Sequence, residues 1–281
     1  MNLQHQFNLK RFGLLVKKDT LESYRQGLII GAAVFGVFLI IYLISMFTLA
    51  RGGEVTVGFS PVAMRNDFHF GLFTPLLFIG GFIFTSRAFY ESHSRVRSHD
   101  WFMLPASTLE KFTERLALSS VGYALGAALL YTLFSIISAG ISQAIFKASF
   151  PIFNPLTRTA ILLMLNYIVV QSIFLLGAAY FRKNHFVKTV AFLIASAIIL
   201  GILAAVAVRF VYWDYFKGLV PTGELEALFE GNSTWRVTER LENLGRAIEL
   251  TAKIFYWVVF APLLWIVAHT RLREVEVKDG V

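Results

Sequence analysis

The sequence predicts an all-α polytopic membrane protein with six transmembrane helices, an N-terminal interfacial amphipathic helix and both termini in the cytoplasm. Hydrophobic residues make up 56% of its 281 residues and charged residues only 16%, whereas soluble domains average about a quarter charged. The charges also lie between long runs that contain none. Such a chain cannot cover its surface with polar groups, so lipid must form part of its solvent.

Six apolar stretches reach or approach the length of about 20 residues that a helix needs to cross a bilayer. The first of them, Leu28 to Ala50, has no charge in 23 residues. A charged residue at the centre of a span would oppose insertion by about 2.5–3.5 kcal/mol, and none lies there. We therefore predict a single transmembrane domain, residues 1–281, with spans at residues 28–50, 68–87, 116–140, 159–181, 189–208 and 254–270.

The distribution of basic residues predicts the orientation of these spans. With the N-terminus inside, sixteen Lys and Arg lie in the inner segments and four in the two short outer loops. Because Lys and Arg concentrate on the cytoplasmic side, both termini are predicted there. The same positions account for the net charge of +8. No stripe of basic and aromatic residues predicts nucleic-acid binding.

Three segments lie outside the predicted spans. Residues 1–27 mix apolar and basic side chains and predict an amphipathic helix in the inner interface. Asp19 and Glu22 have the spacing of a capping box, which predicts that the first spanning helix starts afresh there. Residues 90–111 form a cytoplasmic loop. Residues 209–253 form an extracytoplasmic segment that covers the outer mouth or lies along the membrane surface.

The search for catalytic motifs is negative, so the sequence predicts that the chain is not an enzyme. It contains no GxxxxGK[ST] phosphate loop, no HExxH zinc motif and no GxSxG nucleophile motif. It contains no cysteine, which excludes disulfides and Cys-based metal sites. We expect neither a cofactor nor a metal.

The few polar residues within the spans have two interpretations. Interhelical hydrogen bonding is the first. The second is a mildly polar lining for an amphiphilic substrate, formed by Tyr123, Tyr131, Asn166 and Gln171. Apart from Arg87 at the end of the second span, the spans contain no Asp, Glu, Lys or Arg, which disfavours proton- or sodium-coupled transport because such residues bind the coupling ion.

Small residues at four-residue spacing predict where helix backbones come closest. The pairs are Gly27 with Gly31, Gly122 with Gly126, and Ala197 with Gly201. Such pairs allow close helix packing, either within the chain or between two copies of it.

The stretch before the third span carries the most specific pattern. Pro105 ends the preceding structure, and Ser107 with Glu110 forms a capping box that starts a helix continuing into the span. Residues 101–104 are Trp, Phe, Met and Leu, which predict an exposed apolar knob. Either the membrane interface or a groove on a cytoplasmic protein is expected to cover this knob.

Residues 102–112, FMLPASTLEKF, resemble the "LMLPAS-x-LEKF" stretch that follows the second span in bacterial ABC-2-type transporter permeases. The basic N-terminal helix with Phe12 and the basic C-terminal end at Arg271 and Arg273 are also similar to that family. The long outer segment departs from the short re-entrant helices usual there.

This resemblance implies a permease subunit of an ATP-binding-cassette transporter in the bacterial inner membrane. Members of the family pair as dimers, contact membrane lipid and bind separate ATP-hydrolysing subunits at the cytoplasmic face. Residues 6–18 would flank the coupling contact. The residues of that contact would be Trp101, Phe102, Met103, Leu104, Pro105, Ser107, Glu110 and Lys111.

Two alternatives to the permease stay open from the residues themselves. One is a secondary transporter or channel that works alone. The other is a membrane scaffold or immunity protein that transports nothing. An intramembrane protease is disfavoured, because paired Glu and His residues are absent from the spans.

Overall fold

The computed structural model describes residues 7–50, 56–57, 60–61, 66–93, 101, 103–146, 151–211, 246 and 249–279. Apart from one two-residue antiparallel ladder, 56–57 with 60–61, the elements of these residues are helical. Six helices are long and apolar enough to cross a membrane. This confirms the predicted helical class, the number of spans and a multi-pass membrane protein. The predicted segment 209–253 lies mostly outside the described residues.

The helices and strands are numbered here in the order in which they occur along the chain. They are α1 (Leu9–Ala50), β1 (Thr56–Val57), β2 (Ser60–Pro61), α2 (Asn66–Pro75), α3 (Gly81–Ser86), α4 (Tyr90–His93), α5 (Thr108–Ala117), α6 (Tyr123–Ile141), α7 (Arg158–Tyr180), α8 (His185–Val211) and α9 (Ala261–Asp279). Short π-helical segments extend some of these α-helices. They are Leu76–Gly80, Leu118–Gly122, Ser142–Phe146 and Phe255–Phe260.

Proline accounts for one of the π-helical segments. Pro262 follows the segment Phe255–Phe260. A proline has no N–H to donate, and its ring crowds the carbonyl four residues earlier, which here belongs to Val258 within that segment. The helix relieves this crowding with one wider turn.

The predicted helix break at Asp19 is wrong. Helix α1 runs for 42 residues without interruption, so no separate helix ends before the first span. Asp19 does not cap a helix start, because its carboxylate contacts Arg115 of α5 at 2.6 Å instead. At 1.5 Å per residue, α1 is about twice as long as the bilayer core is thick. Part of α1 must therefore project beyond the hydrocarbon.

The chain divides into two compact units, residues 1–186 with 260–281, and residues 187–259. The first unit contains two buried clusters. The larger, which we call the aromatic core, draws side chains from α1, α2, α6 and α7 and from Phe153. The smaller, which we call the lower core, combines Phe89, Trp101 and Phe112 with the last turns of α7 and residues Ala268 and Leu272 of α9. The lower core thus packs around Phe112 of α5, and the aromatic core packs around the middle of α6.

The second unit, taken by itself, includes most of α8, and the described part of that helix exposes mainly apolar side chains. Within α8, side chains such as Phe192 and Leu203 are exposed. Exposed apolar side chains on a helix of this length and hydropathy suit contact with lipid.

Candidate functional site

Helix α5 begins at a complete capping box, as the sequence predicts. The Ser107 hydroxyl accepts a hydrogen bond from the backbone N–H of Glu110 at 3.2 Å. The Glu110 carboxylate accepts the backbone N–H of Ser107 at 2.9 Å. Two N–H groups that would lack partners at a helix start are thus satisfied. The start of α5 is thus fixed at Ser107.

The charged residues of this helix lie ahead of the membrane-spanning part. The continuous helix Thr108–Ile145 has 38 residues, about twice the length that crosses a bilayer core. Its charge-free part begins at Leu116. Glu110, Glu114 and Arg115 therefore precede the span, at the end where α5 begins.

Glu110 also joins α5 to the start of α1, a contact that the sequence did not predict. Its side chain is 0% exposed. Its Oε1 accepts the backbone N–H of Asn8 at 2.6 Å and the Arg11 guanidinium at 3.0 Å. Burial opposes ionisation, but the N–H groups of Ser107 and Asn8 and the charge of Arg11 hold the pKa of Glu110 below its usual value. Glu110 is an ionised clamp between the two helices.

A second clamp centres on Arg115. Its Nη2 contacts Asp19 Oδ2 of α1 at 2.6 Å and Glu91 Oε2 of α4 at 2.8 Å. Its Nε lies 3.3 Å from Glu114 Oε2. We call these four residues the ion-pair cluster. The sequence could not reveal it, because its members belong to three separate elements.

The prediction that residues 101–104 form an exposed apolar knob is wrong for Trp101. Its side chain is only 3% exposed and belongs to the lower core with Phe89 and Phe112. The Lys111 ammonium lies 5.6 Å and the Arg115 guanidinium 5.3 Å from the centre of its ring, within the range of cation–π attraction. The indole therefore packs inside the chain, where it meets apolar rings and two cations.

The other predicted coupling residues differ in how far their side chains are exposed to solvent. Met103 is 77% exposed, and Pro105 is also exposed, while Leu104 and Ser107 are half-buried. Lys111 is buried, like Glu110. Phe102 lies outside the described residues. Among the predicted coupling residues that the structure describes, Met103 is the most exposed large apolar side chain; its neighbour Leu109 is exposed to a smaller extent.

The predicted lining residues take part in helix packing. The Tyr123 hydroxyl donates to the carbonyl of Leu76 at 2.7 Å, and Gln171 Nε2 donates to the Ser119 hydroxyl at 2.9 Å. Tyr131 is fully buried in the aromatic core, and Asn166 is half-buried on α7. At Tyr123 and Gln171 the geometry is that of interhelical hydrogen bonds, the first of the two interpretations.

His69 forms a buried contact that the sequence did not predict. Its Nε2 donates to the carbonyl of Pro151 at 2.8 Å, and its Nδ1 lies 3.2 Å from the Tyr131 hydroxyl. Phe153 is buried beside it, with its ring 4.8 Å from that of Phe73. The segment before α7 is thus fastened to α2 and α6.

In the described parts of the chain, no group of three His, Cys, Asp or Glu side chains could hold a metal ion. Comparison of the chain with family models, curated proteins and solved structures gives no match. The site must therefore be interpreted from its own geometry and from the sequence.

Proposed function

We propose that this chain is the permease subunit of an ATP-binding-cassette transporter in a bacterial inner membrane. A separate cytoplasmic subunit would hydrolyse ATP and bind at residues 101–111, and two permease chains would pair. The cargo would be an unidentified amphiphilic substrate. The sequence resemblance at residues 102–112 supports this proposal, as does the absence of a phosphate loop from the chain.

The clamped start of α5 is the observation that carries the proposal. Glu110 and Arg115 bind this start to α1 and α4 through partly buried ion pairs. From it a single helix continues to Ile145. A push on residues 101–111 would therefore move the whole third span as a rigid lever instead of bending a loop.

The described part of the docking surface is small and centred on Met103. Because Trp101, Glu110 and Lys111 are buried, they would position the surface while Met103 contacts the partner. Flexible, polarisable methionine suits an apolar contact of this kind. This assignment revises the predicted contact, in which all eight residues would face the partner.

Met103→Asp is expected to reduce the amount of ATP-hydrolysing subunit that co-purifies with the chain by about tenfold or more. The reason is that a carboxylate in an apolar contact is desolvated without a partner, and about 1.4 kcal/mol already changes affinity tenfold. The measurement is extraction in mild detergent from the native cell, followed by mass spectrometry of proteins that carry a phosphate-loop motif.

The matched control is Leu156→Asp. Leu156 is 78% exposed, against 77% for Met103, but it lies in the segment between α6 and α7. The control should retain the partner at wild-type level. Equal loss in both variants, or a wild-type chain that brings down no phosphate-loop protein, would contradict the proposal. Transport by the purified chain in liposomes, driven by an ion gradient without ATP, would instead establish the stand-alone transporter.

A further inference from the structure

The ion-pair cluster carries more negative than positive charge. Three carboxylates, from Asp19, Glu91 and Glu114, surround the single Arg115 guanidinium at 2.6, 2.8 and 3.3 Å. The Glu114 side chain is 2% exposed and that of Asp19 is 10% exposed. One guanidinium cannot neutralise three carboxylates, and buried charges need compensation.

Neighbouring cations and ionisable groups come from several elements. On α1, Lys18 lies 4.0 Å from Asp19, but its own side chain is 41% exposed. On α5, the Lys111 ammonium lies over the Trp101 ring. On α9, which packs on α5, the centre of the His269 ring lies 5.4 Å from the centre of the Phe112 ring. Arg115 is therefore the cation in closest contact with the carboxylates, among the ion pairs of the described residues.

One carboxylate oxygen of Glu114 is not bound by Arg115 and needs a hydrogen-bond partner of its own. Its Oε1 is buried and has no hydrogen-bond partner among the described residues. A buried acceptor without a donor is costly. A proton on this carboxyl would turn it into a donor toward the Asp19 carboxylate and remove one negative charge from the cluster.

We propose that Glu114 and Asp19 form a proton-binding carboxyl pair, and that release of its proton to solvent loosens α1 from α5. In the protonated state Glu114 donates to Asp19, and Arg115 bridges Asp19 and Glu91. In the deprotonated state three carboxylates repel one another around one guanidinium. The inference concerns this chain alone and does not depend on an ATP-hydrolysing partner.

The electrostatics of Glu114 support this site. Burial raises the pKa of Glu114 to about 8; the charge of Arg115 opposes this rise, and the charges of Asp19 and Glu91 add to it. The folded chain thus binds a proton that the unfolded chain releases near the ordinary carboxyl pKa of about 4.3. The contribution to stability is fully present below that value and is lost as the pH rises through about 8.

The first experiment detects the proton directly. Infrared spectra of the full chain in nanodiscs, taken from about pH 6 to about pH 10, should show a carboxylic-acid carbonyl band that disappears with a midpoint near pH 8. Glu114→Gln should lack this band. Glu91→Gln should lower the midpoint, because it removes a negative charge that favours protonation. Glu249→Gln, at an exposed position, should leave the band unchanged.

The second experiment measures the contact between the helices. The chain contains no cysteine, so spin labels on Leu14→Cys and Leu109→Cys report a single distance between α1 and α5. This distance should lengthen or broaden as the pH passes through 8 in the parent chain. It should stay short in Glu114→Gln, whose neutral amide keeps a donor. A band independent of Glu114, or a distance unaffected by pH in the parent, would overturn the proposal.

Discussion

Gly81→Ala is expected to destabilise the folded chain by at least about 2 kcal/mol, because inserting atoms into a packed core costs about 1–3 kcal/mol and occasionally more. A Cβ at Gly81 would lie 2.6 Å from both Cζ and Oη of Tyr167, and closer still to a ring carbon. Contacts this short require that the ring, the helix or both move.

Tyr167 cannot move away easily. Its ring is fully buried, and its hydroxyl donates to the carbonyl of Ser119 at 2.6 Å. Displacing the ring would break this bond between α7 and the π-helical turn of the third span. It would also disturb the neighbouring ring of Phe82. The cost therefore reaches beyond one steric clash.

Gly126→Ala serves as the matched control. A Cβ at Gly126 meets no atom of the described residues within 4 Å, and alanine is favoured over glycine in a helix by about 1 kcal/mol. This variant should equal or exceed the parent in stability. Denaturant unfolding of the detergent-solubilised chain measures both. Similar stability in the two variants would contradict the close approach of α3 and α7.

Glu110→Gln is expected to destabilise the chain by at least about 1.5 kcal/mol, and Glu110→Ala by about 3 kcal/mol or more, since hydrogen bonds to charged groups contribute about 1.5–3 kcal/mol each. One carboxylate oxygen of Glu110 accepts hydrogen bonds from the Asn8 backbone N–H and the Arg11 guanidinium, and the other accepts one from the Ser107 backbone N–H. An amide has only one oxygen, so its NH₂ group must face a donor. Alanine leaves all three donors without this acceptor.

The pH dependence of Glu110 has the opposite sign to that of Glu114. Because the folded-state pKa of Glu110 is lowered, its contribution is present above the ordinary carboxyl pKa and is lost as the pH falls through the lowered value. Unfolding should therefore show an acid-side loss in the parent that Glu110→Gln lacks. Hydrogen exchange at the start of α1 should accelerate in the variant.

Glu249→Gln is the control for Glu110. Glu249 also pairs with one cation, Lys253, but both side chains are exposed, 64% and 65%. Exposed pairs contribute little, so unfolding should not change measurably. A comparable loss at both positions would mean that the clamp at Glu110 is not buried as described.

Local pattern predicted some of the contacts at the site and misjudged others. The capping box depends on two residues three positions apart, so the sequence alone predicted the contact between Ser107 and Glu110. The predicted close-packing pairs, which allow packing within the chain or between two copies, differ in what they meet within the chain. Gly31 is close to Leu130, but Gly27 meets no described atom within 4 Å. Among the described glycines, the closest approaches are at Gly80 and Gly81, a consecutive pair that the four-residue spacing rule does not detect.

The sequence by itself determined the helical class, the six spans and the start of α5, because hydrophobic length and helix capping are local properties of the chain. Only the tertiary structure decided that Trp101 is buried, that α1 continues through Asp19, and that Arg115 forms ion pairs with three carboxylates. These outcomes depend on which distant residues meet. A tryptophan beside a loop and an aspartate in a polar stretch have the same local pattern whether or not another helix covers them.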